Sequence, residues 1–370
     1  MTKHNIFNYL KYYVLYIHMS NFARLRFRQK NLASDIPNVA TYTIPDLINP
    51  WGIKIAGNIA YIADNKTLKI TLHMLPNGSQ IGNPINVLGV SPTGLVLNNG
   101  TGFLISNGGD PLPSRIIVAT ETGTIEGYNE NVDASNTILG YPGIRDSIYK
   151  GLELFRNNLY ATNFGTGYVD KINSSWQKVK QFTDQGLLDK GYYPFNCIAI
   201  NGRIYVTFAK RKVENNDLLS DDEPGLGNGY ISVFDTSGNF IKRFANRGPL
   251  NSPWGLLPWN PNNQDGCNSE NDEIEVLLVG NFGNGAINIY DLKTGGFIGP
   301  LKDLHGNPIT IDGLWGLVLY EHGNFPSIST DILFTAGINH EDDGLFGVLQ
   351  SNNNGGCCCE KIKKCECSSI

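Results

Sequence analysis

A short phrase recurs six times along this chain, and this repetition constrains the fold more than any other feature. Each copy contains a small residue or glycine, an apolar run, a short polar turn and a second apolar run. The copies occupy 49–65, 91–107, 148–164, 194–210, 252–282 and 314–339. Two apolar runs joined by a tight polar turn are typical of a β-hairpin.

A second pair of apolar runs follows each hairpin, as in ISVFDTSGNFIKRF at 231–244 and AINIYDLKTGGFIGPL at 286–301. DTSG and DLKTGG are turn sequences, so each unit supplies four strands. Alignment of the six copies superimposes Gly52, Gly94, Gly151, Asn196, Gly255 and Gly316. The resulting period of roughly 40 to 60 residues is that of propeller blades. The sequence therefore predicts an all-β, six-bladed β-propeller of four-stranded blades.

The sixth unit is one strand short, because DGLFGVLQ at 343–350 supplies a single strand after its hairpin. The segment RLRFRQKNLASDI at 24–36 precedes the first hairpin and has no other place in the pattern. We expect it to complete the sixth blade and close the ring, which removes exposed sheet edges. The predicted domains are an N-terminal extension at 1–22, the propeller at 23–350 and a flexible cysteine-rich tail at 351–370.

Composition agrees with one large all-β domain and gives no sign of a nucleic-acid partner. The 370 residues are 41% apolar and 17% charged, with a net charge of -5 and no sustained Lys/Arg stripe. The first 19 residues, MTKHNIFNYLKYYVLYIHM, are interrupted by Lys11 and lack a small-residue cleavage site. We favour Met19 as the true start over an extension or a weak signal peptide, and Met1 stays open.

Eleven segments, taken in order, resemble the successive signatures of an uncharacterised, conserved-hypothetical propeller family. They are LINPWGI, SPTGLV, IVATETGTIEGYN, YKGLEL, GYYPFN, YVTFAK, GLGNGYISVFDTSGN, LNSPWGL, LLVGNFGNGAINIYD, IDGLWGL and FTAGINHEDDGLFG. That family is similar to NHL-type six-bladed propellers and is met in bacteria that carry PEP-CTERM sorting signals. The resemblance covers about 32–348 and implies a fold without an activity. The chain departs from it by lacking a clean secretory signal and a PEP-CTERM tail.

In a propeller blade, the innermost strand starts on the face where the second strand ends, so these ends meet around one mouth. The predicted second-strand ends are Asn65, Asn107, Asn163, Lys210, Asn281 and Asn339, and the predicted strand starts are Trp51, Thr93, Lys150, Phe195, Trp254 and Trp315. A polar ring with aromatic neighbours suits a glycan or a peptide, and its amide oxygens suit calcium. The alternative, which we favour, is that the asparagines form turns and the tryptophans pack between blades.

The resemblance also suggests a test for catalysis. Six-bladed relatives that hydrolyse lactones or phosphoesters hold calcium with a glutamate near the first inner strand, two asparagines and an aspartate. LINPWG lacks that glutamate. The best candidate metal ligands are Glu153, Asp312, Asn163 and Asn281, and the alternative for them is a solvated channel lining. The acidic loops VENNDLLSDDEPGLGNG and HEDDG are predicted to overhang the same mouth, either binding cations or standing in solvent.

The tail concentrates five of the seven cysteines, namely Cys357, Cys358, Cys359, Cys365 and Cys367. Paired CxxC spacing for zinc is absent. The tail therefore forms intermolecular disulfides in an oxidised assembly, carries lipids at its poor prenylation box CSSI, or has no role. A membrane partner is expected only through such lipidation.

Two hypotheses for function follow. The first is a non-enzymatic binding or structural propeller that presents its mouth to a protein or glycan and is tethered by its tail. The second is a calcium-dependent hydrolase that uses the central channel. Absence of the glutamate, of HExxH and of GxSxG from the sequence favours the first. We expect an extracytoplasmic, envelope or virus-particle location rather than a free cytoplasmic one.

Overall fold

A computed structural model describes residues 25–260, 276–324 and 327–351. These residues form a six-bladed propeller of antiparallel sheets, as predicted. Among them helix is limited to one turn, α1 (Gln185–Leu188), in a connection between blades. No helix of the described ranges has the length and apolar character that a bilayer crossing requires.

The strands follow the chain blade by blade, apart from the first two, which belong to the sixth blade: β1 (Phe27–Ser34) and β2 (Tyr42–Thr43). The first blade contains β3 (Pro50–Ala56), β4 (Ile59–Asp64), β5 (Lys69–Met74), β6 (Ser79–Gln80) and β7 (Ile85–Asn86). The second contains β8 (Pro92–Leu97), the hairpin β9 (Leu104–Ile105) and β10 (Leu112–Pro113), then β11 (Ile116–Thr120), β12 (Ile125–Tyr128) and β13 (Ile138–Tyr141). The third contains β14 (Tyr149–Phe155), β15 (Asn158–Asn163), β16 (Tyr168–Asn173) and β17 (Lys178–Phe182).

The remaining blades carry the longer connections. The fourth contains β18 (Tyr192–Ile200), β19 (Arg203–Glu214), β20 (Asp217–Asp222), β21 (Gly229–Asp235) and β22 (Phe240–Asn246). The fifth contains β23 (Pro253–Trp259), β24 (Val276–Asn281), β25 (Ile287–Asp291) and β26 (Phe297–Pro300). The sixth contains β27 (Leu314–Asn324), β28 (Ser327–Ala336) and β29 (Leu345–Ser351).

The N-terminal strand closes the ring, which confirms the prediction for 24–36. β1 lies antiparallel to β29, with register pairs that run from Phe27 opposite Ser351 to Ser34 opposite Leu345. Phe27, Leu32 and Ala33 are at most 1% exposed. The last blade is therefore built from both ends of the propeller, so its edge is covered by hydrogen bonds and by buried apolar side chains.

The six aligned positions lie where neighbouring inner strands approach most closely. A Cβ added to Gly52 would lie 2.6 Å from the Thr93 carbonyl oxygen of the next blade, and one on Gly94 would lie 2.6 Å from the Leu152 nitrogen. The same crowding is found at Gly151, Gly255 and Gly316. Asn196 is the exception, and its Nδ2 donates to the Trp254 carbonyl at 2.8 Å. The repeated glycine is thus explained by backbone packing around the axis.

The hydrophobic core lies between blades rather than in one central mass. Between the third and fourth blades, for example, Tyr160, Phe182 and Phe234 pack together, with 4.9 Å between the ring centroids of Phe182 and Phe234. Each blade therefore buries both of its faces against its two neighbours. The apolar side chains on the two faces of each strand are all buried only when the ring is complete.

The second blade contains an insertion that the sequence interpretation missed. β9 and β10 pair only with each other, and the second strand of this blade is β11, which pairs with β8. The prediction that Asn107 ends the second strand is therefore wrong. Asn107 is exposed beside this hairpin, and its Nδ2 donates to Asp133 at 3.3 Å. The apolar residues of β9 have the same pattern as a blade strand, which explains the error.

Candidate functional site at the mouth of the ring

The mouth is the face where the inner strands begin and the second strands end. In the third blade, Tyr149 pairs with Asn163, and Lys150 follows directly on the inner strand. In the second blade, Pro92 of the inner strand pairs with Thr120 at the end of the second strand, and Glu121 directly follows Thr120. The blade geometry therefore directs Lys150 and Glu121, from adjacent blades, toward one another.

Lys150 and Glu121 form an ion pair at this face. The Lys150 side chain is 3% exposed and that of Glu121 is 23% exposed. The Lys150 ammonium also lies 5.0 Å from the Trp51 ring centroid and 5.7 Å from that of Phe164. A buried lysine is costly unless its charge is matched, and here one carboxylate and two aromatic faces match it.

Asparagine side chains connect this ion pair to the sixth blade. Asn65 Nδ2 donates to Glu121 Oε2 at 3.2 Å, and its Oδ1 lies 3.4 Å from Asn49 Nδ2. Asn49 Nδ2 donates to Glu341 Oε2 at 2.7 Å, and Trp315 Nε1 donates to Asn49 Oδ1 at 3.0 Å. One continuous network therefore runs from the second blade through the first to the HEDDG loop.

The third carboxyl of the mouth, Asp222, comes from the fourth blade. The strands β19 and β20 form a hairpin in which Asp222 lies opposite Arg211. Asp222 is 8% exposed, and its carboxyl lies beside the Ser252 hydroxyl. Burial raises the pKa of Asp222 to about 6, although the Ser252 hydroxyl and the charge of Lys150 act in the opposite direction.

Glu341 responds to the same surroundings. Burial raises its pKa to about 7, against the hydrogen bond from Asn49 and the charge of Lys150. The neighbouring carboxyls Glu121 and Asp222 raise it further, because like charges disfavour ionisation. Glu121, Asp222 and Glu341 thus come from three blades, and the carboxyl of Glu341 is affected by the charges of the other two and of the buried Lys150.

Arg211 is the second cation near the mouth, and backbone carbonyls occupy several of its donors. Its Nε donates to Leu219 O at 2.6 Å, and its Nη1 donates to Gly165 O at 2.7 Å and Phe164 O at 3.2 Å. The guanidinium carbon lies 4.9 Å from the Tyr193 ring centroid. Arg211 therefore fastens the acidic hairpin of the fourth blade to the third blade.

An aromatic floor lies beneath the charged residues, made of Trp51, Phe164, Phe195, Trp254, Trp315 and Phe282. Trp315 is stacked between Trp51, at 3.5 Å, and Phe282, at 3.9 Å. Trp254 meets Trp51 edge-on at 5.9 Å. The three tryptophans are at most 4% exposed. The floor therefore fills the mouth end of the channel with ring-on-ring contacts.

The structure places the predicted asparagines in the turns of their own blades. Asn163 accepts from Ile148 N at 3.1 Å and donates to Asp170 at 3.1 Å. Asn281 accepts from Asn251 N at 2.9 Å and donates to Ala286 O at 3.0 Å. Asn339 has a φ of 54° and donates to Asp343 at 2.8 Å. Asn65 differs, because it contacts the Lys150–Glu121 pair through Glu121.

The other mouth residues that the sequence predicted, Lys210 and Thr93, bond to backbone carbonyls. Lys210 Nζ donates to Lys190 O at 2.9 Å and lies 5.3 Å from the Tyr192 ring centroid. Thr93 Oγ1 donates to the Tyr149 carbonyl of the third blade at 2.9 Å. These two side chains therefore hold loops and blades together.

The four candidate metal ligands occupy separate surroundings. Asp312 accepts from Asn339 N at 2.9 Å, while Asn163 and Asn281 serve the turns described above. Glu153 lies further along its inner strand, opposite Tyr160, away from the mouth end at Tyr149. Within the described ranges, no group of three or more His, Cys, Asp or Glu side chains has a metal-binding arrangement. These four residues therefore do not fit the predicted calcium site as a set.

Glu153 instead lines the opposite end of the channel. Its Oε2 lies 3.7 Å from Lys54 Nζ, and its Oε1 accepts from Ala199 N at 3.3 Å. Burial raises the pKa of Glu153, against the charge of Lys54. Both side chains line an open cavity of about 410 Å³ with Val96 and Leu154. This end is separated from the mouth by the aligned glycines and the aromatic floor.

Two sequence features fall outside the described residues: Cys267 and the tail cysteines Cys357, Cys358, Cys359, Cys365 and Cys367. The N-terminal extension at 1–22 also lies outside them. Cys197 is described, and its buried thiol donates to Tyr160 O at 3.3 Å. Burial raises the pKa of this thiol well above its usual value, so it behaves as an unreactive core group.

Glu121, Asp222, Glu341 and Asn49 were not singled out from the sequence. The sequence does contain a signal for Glu121. It directly follows the apolar strand IIVAT in the second blade, just as Asn65 directly follows the second strand of the first blade. Asp222 and Glu341 lie in the two acidic loops predicted to overhang the mouth. Asp222 is buried and Glu341 is partly buried, and both are affected by the charge of Lys150. This arrangement depends on long-range packing that local sequence does not encode.

Comparison with known proteins identifies viral relatives. The chain is 34% identical over 324 residues to the uncharacterized protein L690 of Acanthamoeba polyphaga mimivirus, which covers 84% of this chain and 82% of that protein. It is 33% identical over 335 residues to the uncharacterized protein R648 of the same virus, covering 85% and 78%. No family model matches the chain. The NHL-type and PEP-CTERM resemblance therefore stays a prediction.

Solved structures of low sequence identity are also similar to the chain. The nidogen–laminin complex gives a TM-score of 0.48 with 13% identity, covering 79% of this chain and 96% of that chain. The Neurospora crassa Pan2 WD40 domain gives a TM-score of 0.47 with 11% identity, covering 87% and 95%.

Proposed function

This chain belongs to the family of uncharacterized proteins that includes L690 and R648 of Acanthamoeba polyphaga mimivirus, and we propose that it is a non-enzymatic binding propeller whose mouth docks a protein partner. One observation carries the proposal. Glu121, Asp222 and Glu341 come from three blades and surround the buried Lys150 at the same face. Buried charged networks are expensive to maintain, so a network that spans several loops at one mouth favours recognition over a purely structural role.

A protein is a better candidate than a glycan for this mouth. Glycan binding commonly uses an aromatic face for stacking, but both faces of Trp315 are covered, by Trp51 and Phe282. Trp51 is covered by Trp315 on one face, and Lys150 lies over its ring at 5.0 Å. The polar and charged rim above the floor offers hydrogen bonds and charge, which protein surfaces complement readily.

The calcium-dependent hydrolase is not favoured. Its best acidic candidate, Glu153, is at the far end of the channel and pairs with Lys54. At the mouth, the ammonium of Lys150 pairs with Glu121. The residues proposed for a metal are therefore engaged in other contacts.

A viral assembly is the setting that the relatives suggest for this binding role. The tail cysteines would then tether the ring by intermolecular disulfides, with lipidation as the alternative for the same residues. The location that we propose is accordingly a virus particle or envelope.

The proposal is tested by quantitative affinity capture with the full chain as bait, from amoebae infected with a virus that encodes this family. The bait is compared with Glu121→Gln/Glu341→Gln, which removes mouth charge, and with Glu130→Gln as control. Glu130 is an exposed carboxyl that pairs with Arg115 away from the mouth. We expect at least one protein to be captured by the unmodified and control baits and lost with the mouth variant. Equal capture by all three baits would contradict docking at the mouth.

A further inference from the structure

Two charged side chains occupy a position of the repeat that is otherwise apolar. In four blades the second residue after the aligned position is Val96, Ile198, Leu257 or Val318. In the first and third blades it is Lys54 and Glu153. The fold therefore does not require charge at this position. A repeat that breaks its own rule, at the cost of largely burying a carboxyl, is typical of a functional site.

Lys54 and Glu153 stand at the inner end of an open cavity. Both side chains line the cavity of about 410 Å³ at the channel opening opposite the mouth. Both also line the narrow bore beyond it, a cavity of about 40 Å³. The bore has room for water but not for a larger group. A ligand that enters from this opening therefore meets the two charges at the deepest point that it can reach.

The two charged groups retain the capacity to bond to a ligand. The contact of the Lys54 ammonium with the described residues is Glu153 Oε2 at 3.7 Å, which is longer than a hydrogen bond. The side chain of Lys54 is 35% exposed and that of Glu153 is 13% exposed. Glu153 Oε1 accepts from Ala199 N at 3.3 Å, which positions the carboxyl. A loose, partly exposed ion pair contributes little to stability, so both groups are available to a ligand.

The walls of the cavity are apolar. The inner strands of the first three blades supply them through Ile55, Ala56, Val96, Leu97 and Leu154. Ala56 and Leu97 also line an adjacent cleft of about 800 Å³ between the first and second blades, together with Tyr61 and Leu72. Apolar walls around a few convergent polar groups are characteristic of small-molecule sites. The cavity therefore suits a ligand with a small charged head and an apolar body.

We infer that this cavity binds a free apolar α-amino acid, whose carboxylate accepts from Lys54 Nζ and whose ammonium donates to Glu153 Oε2. The two protein charges lie 3.7 Å apart, and an amino acid carries its own two opposite charges on one carbon, so both can be matched at once. A simple anion or cation would be attracted by one group and repelled by the other. The site is independent of docking at the mouth.

The first test uses isothermal titration calorimetry of the full chain with four matched probes. They are leucine, leucinamide, which keeps only the ammonium, N-acetylleucine, which keeps only the carboxylate, and glycine, which lacks the apolar body. We expect leucine to bind at least about tenfold more tightly than each of the others. Absence of leucine binding would overturn the inference. Leucinamide or N-acetylleucine binding as tightly as leucine would also overturn it, and would indicate the end of a protein chain as the ligand.

The second test removes one charge at a time, with Lys54→Met and Glu153→Gln. We expect each to weaken leucine about tenfold. The preference among probes should also move in opposite directions, because Lys54→Met keeps the group that attracts an ammonium and Glu153→Gln keeps the group that attracts a carboxylate. Lys54→Met should therefore favour leucinamide over N-acetylleucine, and Glu153→Gln the reverse. Lys30→Gln is the control, since Lys30 is exposed on the outer strand β1. The same order of preference in both channel variants would overturn the inference.

A variant that follows the repeat separates binding from folding. Lys54→Val/Glu153→Ile introduces side chains of the kind that the other blades have at this position. Replacement of an ion pair by apolar residues is often neutral or stabilising, so we expect this variant to melt no lower than the unmodified protein. It should nevertheless lose leucine binding. A folded variant that still binds leucine as the unmodified chain does would overturn the assignment.

Discussion

Thr335 and Trp51, which are 284 residues apart, are joined by a 2.6 Å hydrogen bond from the Thr335 hydroxyl to the Trp51 carbonyl. This bond links the sixth blade to the first beside the axis. The ring is therefore closed both near the axis, by this bond, and further from the axis, by the pairing of β1 and β29. The same carbonyl would lie 2.6 Å from a Cβ on Gly316. Closure and the floor of the mouth therefore share one backbone segment.

We predict that Gly316→Ala destabilises the ring by about 2–3 kcal/mol, because the new methyl group meets backbone that cannot rotate away. Gly109→Ala is the matched control. A Cβ on Gly109 meets nothing within 4 Å, and its φ is not positive. Urea unfolding measures both, and a Gly316→Ala protein as stable as the control would contradict the close packing at the axis.

We predict that a chain beginning at residue 37 fails to form the folded ring, since it loses the strand that pairs with β29 and the buried Phe27 and Leu32. A chain beginning at residue 23 is the control, because the predicted domain boundary leaves that strand intact. Circular dichroism melts compare the two. A cooperative melt of the shorter chain at the temperature of the control would show that β1 is dispensable.

We predict that Lys150→Met destabilises the protein by about 3–5 kcal/mol, because it leaves the Glu121 carboxylate without its counter-charge. Adding Glu121→Gln to Lys150→Met should recover much of this loss, since the unpaired carboxylate of Glu121 is then removed. Denaturant unfolding of the two single variants and the double variant gives the coupling free energy. Additive losses would mean that the pair is not energetically linked.

We predict a pH-dependent difference between the unmodified protein and Glu341→Gln. The pKa of Glu341 is raised to about 7 in the folded state, so the stability linked to its protonation is present below its usual pKa and is lost as pH rises to about 7. Relative to the unmodified chain, Glu341→Gln should therefore gain roughly 2–3 kcal/mol between about pH 4.5 and about pH 8. Other groups also change the free energy of unfolding with pH, such as His73, whose pKa is lowered to about 4 by burial. Their contributions are the same in both proteins and cancel in the difference. A constant difference would contradict the raised pKa.

The repeated glycines explain why the fold could be predicted from sequence. Gly52, Gly94, Gly151, Gly255 and Gly316 recur because backbone packing at the axis leaves no room for a Cβ, and this demand is visible in each copy. The missing sixth-blade strand could be inferred by counting strands. Local pattern and global packing agree at these positions, so the sequence is sufficient.

The mouth could be predicted only in part. Trp51, Trp254, Trp315 and Lys150 were located at the mouth, because the aligned glycine that follows each of them marks its blade position. Glu121 was not predicted, because β9 was taken for the second strand of its blade and Asn107 was therefore assigned to the position that Glu121 occupies. Asp222 and Glu341 resemble solvated loop residues in sequence, and the burial of Asp222 and partial burial of Glu341 arise from contacts between blades far apart in the chain.

Docking of a protein at the mouth is tested most directly by site-specific photo-crosslinking in the infected cell. A photoreactive amino acid replaces Lys66, an exposed residue at the mouth rim, or Asn99, an exposed residue at the opposite opening of the channel. We predict a crosslinked protein from position 66 that is absent from position 99 and is lost with Glu121→Gln/Glu341→Gln. Crosslinking from position 99 alone, or equal crosslinking from both positions, would contradict it.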